Sequence, residues 1–142
     1  MSNPTVNSFR LSHEAILDVV SQLQALTRSY LQAKPLLLDL RERLLAYFNR
    51  QDQEFYQNLR NFFAEDRPAV KILEFLELDL KDVKIQYLIF FEKHSGEMGD
   101  VNSRNFVKDY REFSNVLLAR VKTEENHLLP LLGRMEIAGA GN

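Results

Sequence analysis

From Phe9 to Leu132 apolar residues return every three or four positions, and little breaks the rhythm. The 142 residues hold 5 glycines and 4 prolines. That is too few to punctuate a chain of short strands, and most fall near the ends of the periodic runs. No segment alternates with a period of two. A chain patterned in this way folds into long helices, each with an apolar stripe that needs neighbours to cover it.

The punctuation divides the chain into four helices, expected at about 9–31, 36–63, 69–94 and 103–132, within one domain spanning 1–142. Residues 1–8 are polar, and Ser8 or Ser12 suits the cap of the first helix. Its stripe is Phe9, Ile16, Leu17, Val20, Leu23, Thr27, Tyr30 and Leu31. Gln32-Ala33-Lys34 reads as a short link, and Pro35 suits a first helical turn, where a missing N–H costs nothing. Leu37, Leu38, Leu44, Leu45, Phe48, Phe55, Leu59 and Phe62 form the second stripe, and Pro68 marks the next boundary. The third helix carries Leu73, Leu76, Leu80, Val83, Tyr87, Phe90 and Phe91, widened by Ile72, Phe75, Leu78, Ile85 and Ile89. So broad a stripe predicts a second neighbour or a second subunit. His94 to Asp100 reads as a loop with two glycines, and Asn102 or Ser103 suits the last cap. Phe106, Tyr110, Phe113, Leu117, Val121, Leu128 and Leu131 line the fourth helix, with Gly133 as its stop. The fold class is all-α, an antiparallel up-down-up-down four-helix bundle.

Charge and composition exclude several functions. A formal net charge of −2 provides no basic surface for nucleic acid. No apolar run approaches the ~18 residues of a membrane span. Without cysteine there is no disulfide, thiolate ligand or thiol nucleophile. No Ser-His-acid pattern or glycine-rich phosphate loop is present. The expected setting is cytoplasmic, with neither nucleic acid nor membrane as partner.

In bundles of this kind, metal sites are built from His and carboxylates that face one another across the core. Leu117-Leu-Ala-Arg120-Val-Lys-Thr-Glu124-Glu125-Asn-His127-Leu-Leu-Pro130-Leu-Leu132 resembles the fourth-helix signature of the hemerythrin-like (HHE) domains. There a His precedes a Glu-Glu pair, and an apolar pair, a Pro and a Leu follow. Leu45-Ala-Tyr47-Phe48-Asn-Arg-Gln51-Asp52 is similar to the second-helix version, and Ser12-His13-Glu14 to the start of the first. Lys81-Asp82-Val83-Lys84-Ile85-Gln86 stands where the third-helix segment is expected. The resemblance covers residues 9–133 and implies a di-iron centre, most of whose ligands are replaced here. His13 matches the first-helix His. Glu124-Glu125 keeps the fourth-helix carboxylate, with Glu125 as the closer equivalent. Tyr47 and Gln51 replace the second-helix His and Glu, Asp82 and Gln86 occupy the third-helix positions, and Arg120 replaces the fourth-helix His. A guanidinium repels a cation and has no lone pair to donate.

Simpler readings stand beside this one. His13 reads as a partly exposed first-turn residue, and Glu124-Glu125 as a solvated pair reaching Arg120 one turn earlier. Tyr47 and Tyr87 read as core aromatics, and His127 as a surface residue. If the family's register holds, His13, Tyr47, Gln51, Asp82, Gln86, Arg120 and Glu124 or Glu125 meet at the bundle centre, and Arg120 neutralises the acid in place of a metal. The expected function is then that of a metal-free, non-enzymatic regulatory or protein-interaction module, with no cofactor and with a protein partner or homodimer. The alternatives are a di-iron domain binding oxygen, nitric oxide or iron through unusual ligands, and a small-molecule pocket lined by Tyr47, Phe48, Tyr87 and Phe90.

Overall fold

The computed structural model of the chain describes residues 4–26, 30–94 and 103–140. Helix α1 runs over Pro4–Leu26 and α2 over Tyr30–Arg50. A π-helical stretch, π1 (Gln51–Tyr56), continues α2 directly into α3 (Gln57–Phe62). Helix α4 covers Arg67–His94. Helix α5 (Ser103–Thr123) continues through a second π stretch, π2 (Glu124–Leu128), into α6 (Leu129–Ala140). Residues flanking both π stretches keep right-handed helical angles, so α2-π1-α3 and α5-π2-α6 are each one rod. With α1 and α4 they make four rods. Helix α1 lies along α2, α4 along α5, α6 against α1 and α3, and α3 against α4, which closes the antiparallel bundle.

The interior is built by the apolar stripes. Leu23, Leu37, Leu40, Leu44, Leu59, Leu76 and Leu128 are fully enclosed. Aromatics fill one end, where Phe90 stacks on Phe113 with ring centroids 4.7 Å apart, and the Tyr110 hydroxyl donates to the Val20 carbonyl at 2.8 Å. The turn into α4 is fixed by Asp66, whose Oδ1 accepts from the Ala69 N–H at 3.1 Å in an N-cap arrangement, with Pro68 in the first turn. Arg134 of α6 donates to the other oxygen of Asp66 at 2.9 Å. The Ala69 N–H and then Arg134 hold the Asp66 carboxyl below its usual range.

Several expected boundaries move. Helix α1 begins at Pro4, so Ser8 and Ser12 lie inside it rather than capping it. Tyr30 and Leu31 open α2 instead of closing α1, Gln32-Ala33-Lys34 is helical, and Pro35 lies beyond the first turn. Thr27 and Asn102 lie outside the described residues. Phe62 is exposed and Phe63 is buried. The stripe that holds Phe55 and Leu59 continues to Phe63, one turn beyond Leu59, which leaves Phe62 outside. Gly133 does not end the last helix, which runs on to Ala140. Pro130 lacks a donor and crowds the turn before it, and the wide π2 turn directly ahead gives it room. His94 closes α4 fully buried, with Nε2 2.8 Å from Asp109; the rest of the expected loop lies outside the described residues. Helix α4 has the expected surplus of apolar positions: Phe75, Leu78, Ile85, Leu88 and Ile89 all face outward. No helix among the described residues is long and apolar enough to cross a membrane.

Candidate functional site

At the centre of the bundle the apolar stripes are interrupted by a set of buried polar side chains: His13 from α1, Tyr47 from α2, Gln51 and Tyr56 from π1, Arg120 from α5 and Glu124 at the start of π2. Arg120 follows Leu117 by three positions and precedes Glu124 by four, so both lie on the face that carries Leu117, Val121 and Leu128. Helical geometry alone therefore directs a cation and an anion into the core. Arg120 is 2% exposed and Glu124 0%.

Arg120 uses its planar fork in four directions. Its Nε donates to Glu124 Oε1 at 2.9 Å and lies 3.4 Å from the Tyr47 hydroxyl. Nη1 donates to the Leu76 carbonyl and to Asp79 Oδ2, each at 2.9 Å. Nη2 donates to the Tyr56 hydroxyl at 2.6 Å. Glu124 is satisfied from three sides, by Arg120, by the Tyr47 hydroxyl and by His13, whose Nε2 lies 2.5 Å from Oε2. Against a carboxylate oxygen the His13 proton belongs on Nε2. The network joins all four rods.

The electrostatics follow from burial. Burial works against the charge on Arg120, yet Tyr47, Glu124, Tyr56 and Asp79 outweigh it and hold the guanidinium protonated beyond its ordinary range. Burial, followed by the nearby Glu124, raises the Tyr47 hydroxyl well above its ordinary 10.0. Burial also raises the Tyr56 hydroxyl, with Arg120 partly opposing. Both tyrosines are therefore neutral donors or acceptors at physiological pH.

The structure brings together His13, Tyr47, Gln51, Arg120 and Glu124 and leaves out three of the expected positions. His13 is buried in mid-helix, not exposed in a first turn. Asp82 faces solvent, and its place at Arg120 is taken by Asp79, one turn earlier on α4. Gln86 is half-buried and lines a groove with Ile89 and Phe113, away from the network. Glu125 is exposed, and Glu124 is the inward member of the pair. Tyr56 and Asp79 were absent from the sequence expectation. The stripe Leu76-Leu80-Val83 turns residue 82 outward and 79 to the stripe's edge, so the apolar phase was a usable signal for Asp79. Tyr56 owes its inward position to π1, which has no comparable mark in the sequence.

As a metal site the set is poorly furnished. The oxygens of Glu124 and Nε2 of His13 are occupied with each other and with Arg120 and Tyr47. Gln51 Oε1 is buried without a partner, a single neutral donor. Among the described residues no group of three or more His, Asp or Glu is placed to hold a metal. An iron pair would need several such donors and would meet the fixed charge of Arg120, so the residues present do not fit that group. Nor is the expected aromatic quartet hollow. Tyr47 and Tyr87 each contact Phe48, with centroids 5.4 and 5.2 Å away, and Phe90 stacks on Phe113. Among the described residues the clefts lie nearer the surface, of about 750 Å³ beside Phe63 and Arg134, about 620 Å³ beside Tyr56 and about 530 Å³ beside Tyr47.

No curated protein and no solved structure matches the chain. A family model described as the hemerythrin HHE cation-binding domain matches residues 5–132. That match runs from the first turn of α1 to beyond Pro130 and takes in every residue of the buried network. The chain therefore belongs to the hemerythrin HHE cation-binding domain family.

Proposed function

We propose that this chain is a hemerythrin-like bundle that works without a metal, as a non-enzymatic regulatory or protein-interaction module. The observation that carries the reading is the Arg120–Glu124 ion pair, buried at the bundle centre with 2.9 Å between Nε and Oε1. In a dry interior an isolated carboxylate is strongly disfavoured, and a cation with further hydrogen-bond donors offsets that cost. Here the cation is organic. Arg120 supplies charge, Tyr47 and His13 supply donors, and Tyr56 and Asp79 hold the far side of the guanidinium. The network contains no free nucleophile and no unengaged acid–base pair, which supports a structural role for the centre and a functional role for the surface.

Elemental analysis of protein purified from iron-supplemented culture tests the reading. The expected result is iron and manganese well below one equivalent per chain. The family's description names cation binding and so favours the alternative, a centre that holds metal. Near two irons per chain, held through gel filtration, would overturn the proposal in favour of that alternative.

A further inference from the structure

Among the described residues, no helix packs over the outward face of α4. Phe75, Leu78, Ile85, Leu88 and Ile89 are 51% to 68% exposed. They recur along one side of a 28-residue helix whose opposite side is the core face of Leu73, Leu76, Leu80, Val83 and Tyr87. Phe75, Leu78, Asp82, Ile85 and Ile89 follow the alternating three- and four-residue spacing of a helix–helix seam. The ring of His127, from π2, meets that of Phe75 edge-on with centroids 5.9 Å apart and extends the patch at one end.

The charges on this face are arranged in a specific order. Lys71 and Glu74 stand towards one end, Glu92 and Lys93 at the other, and Lys81-Asp82 at the middle. All six are exposed; Lys93 reaches Asp109 at 2.8 Å, and the other five take part in no ion pair among the described residues. Reversing the helix about a point between residues 81 and 82 superposes Lys71, Lys81, Asp82 and Glu92 on their own complement and sets Glu74 within one turn of Lys93 of the second copy. Lys71 then stands opposite Glu92, Lys81 opposite Asp82, Leu78 opposite Ile85, and Phe75 opposite Leu88. From Lys71 to Glu92 the helix rises about 32 Å, ample for a two-helix contact. A parallel partner would set Lys81 against Lys81 and Asp82 against Asp82.

We infer that the α4 face binds a second copy of this chain, with the two α4 helices antiparallel about a two-fold axis between residues 81 and 82. The self-complementary charge order selects that occupant over an unrelated helix. Such an interface is isologous: each side presents the same patch. It deepens the protein-contact reading and rests on it, but not on the state of the buried centre.

Sedimentation velocity of the full chain across a concentration series tests the inference. The wild type is expected to run at twice the chain mass, and Leu78→Glu and Ile85→Glu at the chain mass with unchanged helical circular dichroism. Both positions are exposed, so neither change enters the core. Ile137→Glu, on an exposed apolar residue of α6, is expected to leave the dimer intact. Lys81→Glu and Asp82→Lys are each expected to weaken the dimer roughly fivefold, since two symmetric pairs are lost; the double reversal restores it. A wild type monomeric throughout, or a dimer that survives both glutamate substitutions, would overturn the inference. A double reversal no tighter than its singles would overturn the antiparallel register. A monomeric chain lacking iron would remove the dimer and leave the metal-free reading standing, so the two failures are separable.

Discussion

Replacing Arg120 by alanine removes the one guanidinium or ammonium that touches Glu124 among the described residues. Glu124 would remain 0% exposed, with Tyr47 and His13 as its donors and no fixed positive charge beside it. Breaking a buried ion pair from one side costs about 3–5 kcal/mol. Asp79 adds little, because its side chain is 34% exposed and rehydrates when its partner is lost. The Leu76 carbonyl and Tyr56 hydroxyl also lose a partner, which places the total in the upper part of that range. At about 2.1 cal/mol/K per residue, the unfolding entropy of this chain is on the order of 0.3 kcal/mol/K. The melting temperature should therefore fall by about 13–17 °C, measured by circular dichroism with urea unfolding as a cross-check. Removing both charges in Arg120→Met/Glu124→Leu should recover most of the loss, since a matched apolar pair does not leave a stranded ion. A cost below about 1 kcal/mol for Arg120→Ala would mean that the guanidinium is solvated, and would refute the reasoning.

The remaining predictions concern the groups around this pair. Tyr47→Phe keeps the ring but removes a donor to Glu124, and should cost about 1–3 kcal/mol in urea unfolding; no loss would mean that the hydroxyl is dispensable. Asp79→Asn should be measurably destabilising and Asp82→Asn neutral, and the reverse order would restore the register expected from sequence. Stability should also fall in alkali. Burial holds the Tyr47, Tyr56 and Tyr110 hydroxyls above their ordinary 10.0 in the folded chain. A raised folded value contributes stability in full below the unfolded value and loses it as pH rises through the folded one. The melting temperature should thus decline from near pH 10 upward, and a flat profile from pH 9 to 11 would contradict the burial of these hydroxyls.

The fold was legible because helix spacing persists across the chain. The stripes Leu73-Leu76-Leu80-Val83 and Phe106-Tyr110-Phe113-Leu117 are found buried as written. What the spacing could not reveal is a change of period. Two π turns, both at the buried network, widen the helix there, and π1 carries Tyr56 inward beside Phe55. The site was legible where side chains share a helix, as Arg120 and Glu124 do at one turn's separation. Across helices the alignment to a family motif proved weaker than the apolar phase. Leu117, Val121 and Leu128 mark Glu124 rather than Glu125 as inward, and Leu76, Leu80 and Val83 turn Asp82 out. Helix ends were less legible because proline is tolerated inside α2 and beside π2, where neighbouring packing outweighs its local cost.

The most direct test of the central claim is anomalous diffraction at the iron edge from crystals grown with ferrous iron under anaerobic conditions. The account predicts continuous density from the Arg120 guanidinium to the Glu124 carboxylate and no anomalous peak among His13, Gln51 and Glu124. A pair of peaks at that position, with Arg120 swung away from Glu124, would contradict it.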